Sequence, residues 1–425
     1  MIEKQPSCDD PVESDLLPVD VARQRLFSAL KPCTQSESLG ISQSFRRVLA
    51  RNISSPFSVP GHTNSAMDGY AINSKSIPVD GERRLDLRGS SWAGRPFQEM
   101  IGEGEAVRVF TGAVMPMGTD TVVIQEHAQV ADNAVVIDSD VVAGKNVRMA
   151  GEDVEKGQTV FSAGRKLQAS DIGVLASLGI RKVEVTKRLK VAFFTTGDEL
   201  VSLEDHQPGA LLPEGMLFDS NRHTLKALLD QANVDAIDLG VVRDNESDTR
   251  SALVHASESA DFIVSSGGVS AGEADYVTRA FHDLGDVSFW KLAMRPGRPL
   301  AFGYVGNAAF FGLPGNPVAV MVTFLEFVQP AIRYLCGMDQ LETVPLPALS
   351  ESELRKSKGR VEYQRGIMRV TADGQLVVRS TGKQGAGRLS SMSQANCLIV
   401  IDAERDGVKA GDYVGVQPFH GLLDL

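Results

Sequence analysis

Residues 189–200, LKVAFFTTGDEL, join a near-continuous apolar run to a turn that carries Gly, Asp and Glu. An apolar strand of this kind is typical of a parallel sheet covered on both faces. Strand and helix patterns alternate from there to residue 335, which predicts an open α/β domain. The predicted order is a helix at SNRHTLKALLDQA capped by Ser220 or Asn221, a strand at AIDLGVV, a helix over 247–258, a strand at DFIVSSGG, a helix over 274–284, and NAAFFGLPGNP leading into a helix over 318–335.

The pattern changes on both sides of this domain. Upstream, apolar spacing predicts a helix from Asp20, as its cap, to Leu30, and a second helix over residues 42–50. Residues 54–142 form short alternating runs separated by Gly, Pro and Asp, which is typical of an all-β unit. Downstream of Gly337 helical signals fade, and a hairpin pattern around residues 373–374 predicts a small β-domain.

Composition limits the classes of partner. The net charge of −11 argues against nucleic acid, because binding a phosphate backbone normally needs a cationic surplus. The N-terminal residues show no signal-peptide pattern, and the most apolar long run, 318–328, is too short to span a bilayer, so we expect no membrane association. The cysteines are widely spaced, which indicates reduced thiols in a cytoplasmic protein; they are Cys8, Cys33, Cys336 and Cys397.

Carboxylates and glycines follow the predicted strands, where α/β sheets form their binding crevice. They include Glu199, Asp244, Asp275 and the glycine-rich run that holds Ser270. Converging carboxylates and exposed backbone amides suit a Mg²⁺ ion that bridges to phosphate oxygens. The alternative is that these side chains only cap helices. The two tryptophans, Trp92 and Trp290, are interpreted as packing residues rather than as stacking platforms.

Cations lie close together in FWKLAMRPGRPLAFG, which contains Lys291, Arg295 and Arg298. Three cations in one loop of an acidic protein favour an anionic ligand over a solvated surface turn, since two prolines restrict this loop. The following GLPGNP places Asn316 as a helix cap and Pro317 at the first helical position, where free amides attract anions. The chain contains no Walker A sequence, GxGxxG fingerprint or nucleophile elbow.

Eight motifs occur in order: NSAMDGYA, RVFTGAVMPMGTDTVV, NVRMAGEDV, TTGDELV, DSNRHTL, SSGGVSAGEADYV, FWKLAMRPGRPLAFG and GLPGNPVAV. Together they resemble the molybdopterin molybdenumtransferases, the bacterial MoeA family that includes the E domain of gephyrin. The resemblance implies that the protein inserts molybdate into adenylylated molybdopterin with release of AMP, in a Mg²⁺-dependent step. It also implies a cytoplasmic homodimer, with the active site between the α/β domain of one subunit and the inserted domain of the other.

The resemblance implies a multidomain α/β plus β fold. Its parts are an elongated N-terminal domain over 15–54 and 146–187, an inserted β-domain over 55–145, an α/β domain similar to molybdopterin adenylyltransferases over 188–337, and a C-terminal β-barrel over 338–425. Molybdopterin adenylyltransferase and apo-molybdoenzymes are the further partners that it suggests.

The resemblance also assigns site residues by motif. The catalytic ones are Asp68, Glu199, Asp275 and Lys291. Asp244 and Asp275 are the metal ligands that it implies. The substrate-binding residues that it implies are Thr111, Asp153, Ser270, Arg295, Pro314, Pro317 and Arg365.

Some positions depart from the family pattern. Ala386 stands where many members have Ser, Arg295 where Lys is common, and His62 and Thr63 where a Phe-Asp type pair is usual. Two other functions stay open beside the transferase. One is pterin adenylylation, against which the inserted and C-terminal domains count, and the other is a non-catalytic pterin-binding or scaffold protein. AMP release from adenylylated molybdopterin discriminates among the three.

Overall fold

The computed structural model describes residues 16–268, 284–338 and 344–419. The helix at Pro317–Leu335, numbered α5, contains a π-helical segment at Phe324–Val328. The α-helices are α1 Val19–Ala29, α2 Ala169–Ser177, α3 Ser220–Gln231, α4 Glu246–Ser259, α5 Pro317–Leu335 and α6 Leu389–Gln394.

The strands, in chain order, are β1 Ser36–Gly40, β2 Ile53–Ser54, β3 Asn64–Ser65, β4 Gly69–Ile72, β5 Glu82–Ser91, β6 Glu105–Val109, β7 Thr121–Ile124, β8 Gln129–Ala131, β9 Ala134–Asp138, β10 Val147–Arg148, β11 Thr159–Phe161, β12 Lys182–Thr186, β13 Lys190–Thr196, β14 Leu200–Val201, β15 Leu217–Phe218, β16 Asp235–Val242, β17 Phe262–Ser266, β18 Gly285–Lys291, β19 Met294–Arg295, β20 Pro299–Val305, β21 Ala308–Leu313, β22 Leu346–Ser350, β23 Val361–Val370, β24 Leu376–Ser380, β25 Cys397–Ile401 and β26 Tyr413–Pro418.

The chain divides into two compact units. The first holds residues 1–50, 164–168 and 183–425, and the second holds residues 51–163 and 169–182. This division is coarser than the four predicted domains, whose boundaries stay predictions.

The first unit contains a six-stranded α/β sheet in the order β16-β13-β17-β21-β20-β18. The first four strands are parallel, and β20 and β18 complete the sheet as an antiparallel pair. Alternate residues of β13 enter different cores: Val191 and Phe193 join that of α3 and α5, whereas Ala192 and Phe194 join that of α4. Burial on both faces explains the uninterrupted apolar run, and the predicted α/β domain is confirmed.

The C-terminal part of the first unit is a closed barrel. Its strands follow the order β23-β24-β22-β26-β25, and β25 pairs again with β23. The hairpin between β23 and β24 turns at Gly374, whose φ is +86°. Strand β19 pairs with β23 and so ties the barrel to the loop after β18. The predicted β-barrel is confirmed.

The second unit is built on a six-stranded sheet in the order β7-β4-β6-β5-β9-β8. Its neighbouring strands are antiparallel except β5 and β6, which run parallel. Alternating side chains of this sheet form cores on both of its faces, as the Ala106 and Val107 pair shows. The predicted β-unit is confirmed.

Two predictions about the first unit's N-terminal segment are wrong. Helix α1 begins at Val19, with Pro18 in the cap position, so Asp20 lies in the first turn rather than at the cap. Only Ile41–Gln43 form a 3₁₀ turn; Arg46 then takes a left-handed φ of +63°, and Leu49 bridges to Val185. Strand pairing with distant residues thus overrides the local helical spacing.

Helix α5 is longer than the apolar run that predicts it. By length and composition its 19 residues would cross a membrane, but 72% of its most apolar window is buried inside the protein. The run length is therefore a poor argument against a membrane span, whereas burial identifies α5 as a core helix.

Candidate active site

The crevice of the α/β sheet opens where the strand order reverses. The chain passes from β13 to β16 on one side and then to β17 on the other, so the loops after β13 and β17 diverge. Ligands bind at such a point in open α/β sheets. Gly197 follows β13 here, and Gly267 and Gly268 follow β17.

Asn221 ties the crevice loops together. Its Nδ2 donates to the Ser266 hydroxyl at 3.0 Å and to the Gly315 carbonyl at 2.7 Å, and Ser266 donates to the Pro314 carbonyl at 3.2 Å. Its Oδ1 has no hydrogen-bond partner in the described parts of the chain. Sequence reasoning treats Asn221 only as a cap of α3, but that cap is Asp219, which accepts a bond from the Arg222 amide. A polar residue that is buried in the first turn of α3 is the signal that places Asn221 beside the loops.

Gly267 is required by a close approach of two loops. Its φ is +95°, and a Cβ there would lie 2.5 Å from the carbonyl oxygen of Thr196. We expect Gly267→Ala to lower the free energy of unfolding by about 1–3 kcal/mol, measured by urea denaturation, because backbone atoms must move. Gly374→Ala is the matched control, since Gly374 has a similar φ and nothing within 4 Å of its Cβ position. Equal losses in the two variants would show that contact with Thr196 is unimportant.

Acidic residues gather at the ends of β13 and β16. Burial raises the pKa of Asp244, the Thr196 hydroxyl opposes this, and the carboxylates of Asp198 and Glu199 raise the pKa further. The Asp244 amide also donates to Asp198 at 3.2 Å. Among the described residues no three His, Cys, Asp or Glu side chains are arranged as a metal-binding group. The described acidic residues therefore do not make a complete metal site by themselves.

Lys291 ends strand β18 at the same edge of the sheet as this crevice, because β18 and β21 are both antiparallel to β20. Two strands separate β18 from β17, which corresponds to roughly 14 Å across the sheet. Arg295 is exposed and lies on β19, opposite Glu362 of the barrel. Strands β21 and β20 therefore separate the strand of Lys291 from the strand that leads to Gly267.

Arg365 lies in the barrel, and its exposed fraction is 1%. Its Nε donates to Ser391 at 3.0 Å and its Nη2 to the Gly385 carbonyl at 3.1 Å. Burial lowers its pKa to about 10; Glu362 acts in the opposite direction, and the charge of Arg295 lowers the pKa further. Two guanidinium groups that repel each other favour an anion nearby.

The loop held by Arg365 also contacts the start of α5. The Val318 amide donates to the Ala386 carbonyl at 3.1 Å, so the backbone of Ala386 satisfies one amide of the helix terminus. Asn316 occupies the cap position and Pro317 the first helical position, as predicted, although the Asn316 side chain makes no capping bond. The lost Ser hydroxyl at position 386 thus leaves this backbone contact intact.

Asp68 and Thr111 meet in the second unit. Oδ1 of Asp68 accepts from the Thr111 amide at 2.7 Å and from its hydroxyl at 2.8 Å. The Thr111 backbone and side-chain bonds, with a smaller contribution from Arg108, lower the Asp68 pKa against weak desolvation. The next residue, Gly69, must lack a side chain, because a Cβ there would lie 2.0 Å from the Val123 carbonyl oxygen. Asp153 is exposed, and its amide donates to the Val59 carbonyl.

The predicted site residues thus fall into separate groups. Asp244 and Glu199 share one acidic region, Arg295 and Arg365 share one cationic region, and Asp68 and Thr111 share hydrogen bonds. Ser270, Asp275 and the predicted helix over 274–284, apart from Leu284, lie outside the described residues. Their assignments stay predictions.

An α/β domain with a crevice, a closed barrel and a separate β-unit define the class as a multidomain α/β plus β protein. Comparison with protein families identifies this class more narrowly. Residues 17–179 match the MoeA N-terminal region (domain I and II), residues 192–334 a probable molybdopterin binding domain, and residues 348–419 the MoeA C-terminal region (domain IV).

Individual relatives agree with these matches. The chain is 41% identical to a molybdopterin molybdenumtransferase of Haemophilus influenzae over 96% of this chain and 100% of the relative. It is 35% identical to that of Nostoc over 86% and 84% of the two chains. A molybdopterin biosynthesis moeA protein of Pyrococcus horikoshii superposes with a TM-score of 0.82 and 27% identity, covering 95% of this chain and 100% of that one. The protein belongs to the MoeA family of molybdopterin molybdenumtransferases.

Proposed function

We propose that the protein is a molybdopterin molybdenumtransferase, which inserts molybdate into adenylylated molybdopterin and releases AMP. The observation that carries the proposal is the full-length match to relatives of that name. The adenylyltransferase alternative is not favoured, because the matches include the N-terminal and C-terminal regions as well as the α/β domain.

The charges of the predicted site residues suggest a separate role for each in binding the substrate. Lys291 and Arg295 bind phosphate or molybdate oxygens, and each charge-assisted hydrogen bond contributes about 1.5–3 kcal/mol. The hydrogen bonds of Thr111 lower the pKa of Asp68 and favour its ionised form, so its carboxylate accepts hydrogen bonds rather than donating them. Arg365 holds the loop beside α5 through its bonds to Ser391 and Gly385, which supports a positioning contribution to the same anion.

Mg²⁺ is proposed as the cofactor because the acidic group fits a hard cation. Asp244 and Glu199, with Asp275 by family resemblance, would hold it. A nearby cation would relieve the repulsion that raises the Asp244 pKa. Since Mg²⁺ usually keeps waters and substrate oxygens among its ligands, one or two carboxylates suffice. The bound ion would neutralise negative charge on the phosphate oxygens.

Asp244→Asn tests the metal proposal by stability as well as by activity. Without Mg²⁺ we expect a melting temperature equal to or slightly above that of the wild type, because the change removes carboxylate repulsion. With 10 mM MgCl₂, chosen as roughly ten times a millimolar dissociation constant, the wild type gains stability through binding and the variant gains little. Calorimetric scans with NaCl at the same ionic strength provide the control for screening. An identical Mg²⁺ response in both proteins would remove Asp244 from the site.

The pH dependence of that response follows from the raised pKa of Asp244. The ion requires the ionised carboxylate, so Mg²⁺ stabilisation falls as the pH drops through the raised pKa. In the absence of metal the sign is opposite, since a carboxyl with a raised folded pKa makes the fold more stable as the pH falls through that value.

The transferase itself is tested by incubating the purified protein with adenylylated molybdopterin, molybdate and Mg²⁺. We expect AMP release and activation of an apo-molybdoenzyme. Binding of the pterin without AMP release would support the scaffold alternative, and ATP-dependent formation of adenylylated pterin would support the adenylyltransferase.

The partners follow from the same proposal. We propose a cytoplasmic homodimer that receives its substrate from molybdopterin adenylyltransferase and passes the cofactor to apo-molybdoenzymes. Cys33, Cys336 and Cys397 are free thiols, which agrees with a reducing compartment. Light scattering of the purified protein measures the dimer directly.

A further inference from the structure

Trp92 is exposed beside the Asp68 and Thr111 pair. It is 51% exposed, whereas Trp290 is 1% exposed in the core of the first unit. One face of the Trp92 ring stacks on Phe110, with ring centroids 3.8 Å apart and planes 16° apart. Since the covered face is the one against Phe110, the exposure belongs mainly to the opposite face and the ring edge. Trp92 therefore does not behave as the packing residue that the sequence predicts.

Strand register places Trp92, Phe110 and Asp68 in one row. Val109 of β6 pairs with Ser91 of β5 on one side and with Gly69 of β4 on the other. The next residue of β5 and β6, and the preceding residue of β4, thus lie side by side at one edge of the sheet. Adjacent strands are about 4.8 Å apart, so Trp92 and Asp68 are separated by roughly 10 Å at the backbone.

The row is fixed before any ligand arrives. Trp92 sits in a tight turn, where its amide donates to the Arg95 carbonyl at 3.0 Å and the Arg95 amide donates back at 2.9 Å. Below Phe110, the Arg108 guanidinium lies 5.3 Å from the Phe110 ring centre and 4.8 Å from that of Tyr70. A rigid aromatic surface loses little conformational entropy when a second ring stacks on it.

The polar groups of Asp68 and Arg108 lie at the other end of the row from Trp92. Both hydrogen bonds that the Asp68 carboxylate accepts from Thr111 use Oδ1, and Oδ2 accepts none from the described residues. Oδ2 is thus available to a ring N–H or amino group, while the guanidinium of Arg108 contributes positive charge nearby. Such a combination suits a planar nitrogen heterocycle that carries an anionic substituent.

We propose that the exposed face of Trp92 is a stacking platform for a heterocycle of the substrate, either its adenine or its pterin. The proposal rests on the proposed function for the identity of the ligand, and on the aromatic row alone for the existence of the platform. Base stacking on an aromatic side chain is tolerant of ring identity, so both rings share the required chemistry.

Tryptophan fluorescence tests the platform directly. In a Trp290→Phe background Trp92 is the single tryptophan of the chain, and AMP and a free oxidised pterin are titrated as separate probes. Quenching by AMP alone assigns the adenine ring, and quenching by pterin alone assigns the pterin ring. If neither probe quenches Trp92, the platform is disproved.

Substitutions separate stacking from folding. We expect Trp92→Leu to weaken binding of the quenching probe roughly 5- to 100-fold by calorimetry and to raise the KM for adenylylated molybdopterin, while Trp92→Phe stays within about threefold of wild type. Tyr413→Ala, which removes an equally exposed aromatic ring from β26, should leave both values unchanged. Unaltered probe affinity in Trp92→Leu overturns the proposal. So does a change in oligomeric state without a change in affinity, which would make this face a subunit contact.

The same experiments keep the two proposals apart. If the wild type releases no AMP from adenylylated molybdopterin, the transferase proposal fails, yet the fluorescence titrations still decide whether Trp92 stacks a heterocycle. If Trp92→Leu releases AMP normally with an unchanged KM, the transferase proposal is supported and the stacking proposal is disproved.

Discussion

Arg23→Met is expected to lower the free energy of unfolding by about 3–5 kcal/mol, because it leaves a carboxylate buried without its cation. Arg23 of α1 pairs with Glu326, whose side chain is 3% exposed within the π-helical segment of α5, and its Nε donates to the Glu326 carbonyl at 3.2 Å. Tyr363 and Gln417 of the barrel also bond to this carboxylate. The cluster thus joins three parts of the first unit, and urea denaturation measures its loss.

The pH dependence of the Arg23→Met loss distinguishes a charge effect from lost packing. Burial raises the Glu326 pKa, and Arg23 is the largest of the groups that oppose the shift. Without Arg23 the folded-state pKa rises further, so the variant recovers stability as the pH falls through that value and Glu326 takes up a proton. A loss that is equal at about pH 5 and about pH 8 would indicate packing instead.

Two further variants complete the comparison. The double variant Arg23→Met with Glu326→Leu should recover part of the stability, since an apolar pair can replace a buried ion pair while Tyr363 and Gln417 lose their acceptor. Lys226→Met is the control for an exposed pair, because Lys226 and Asp230 of α3 lie at the surface 2.6 Å apart. We expect it to change the free energy of unfolding by less than about 0.5 kcal/mol.

The α/β domain is the part of the fold that the sequence predicts best. Its strands are buried on both faces, so β13, β17 and β21 appear as apolar runs whose length and boundaries are visible locally. The helices between them begin at recognisable caps. By contrast, residues 42–50 have helical spacing but pair with distant segments, and no local pattern reports a partner more than 100 residues away.

The candidate site is predicted less completely, because its contacts are formed in space. The motif order predicts Asp68 and Thr111 as site residues, but only the structure shows that they share two hydrogen bonds. The loop contacts of Asn221 and the exposure of Trp92 are not predicted, for a related reason. Asn221 joins two loops that lie 45 and 94 residues away along the chain. Trp92 is exposed because it follows the last residue of a strand, which its neighbours in the sequence do not indicate.

Asp68→Ala and Asp275→Ala are each expected to reduce AMP release about 10²- to 10³-fold as homodimers, the range typical of losing one preorganised charged group at a reacting centre. If the two residues act in one site contributed by two subunits, a heterodimer that carries one change on each subunit has one doubly damaged site and one intact site. We therefore expect purified heterodimers to regain about half of the wild-type rate. Residues that act within a single subunit would give no recovery, because both sites would then carry a damaged group.

Co-expression of the two variants with different affinity tags, followed by sequential purification, yields the heterodimer free of both parents. AMP release per dimer is the measurement, with mixtures of the separately purified homodimers as the control for subunit exchange during the assay. A heterodimer pairing Asp68→Ala with wild type provides the second control, since it retains one intact site under either arrangement. Recovery in the mixed-variant dimer equal to that in this control would establish that Asp68 and Asp275 of different subunits share a site. Recovery in the control alone would place them in the same subunit and overturn the shared dimer site.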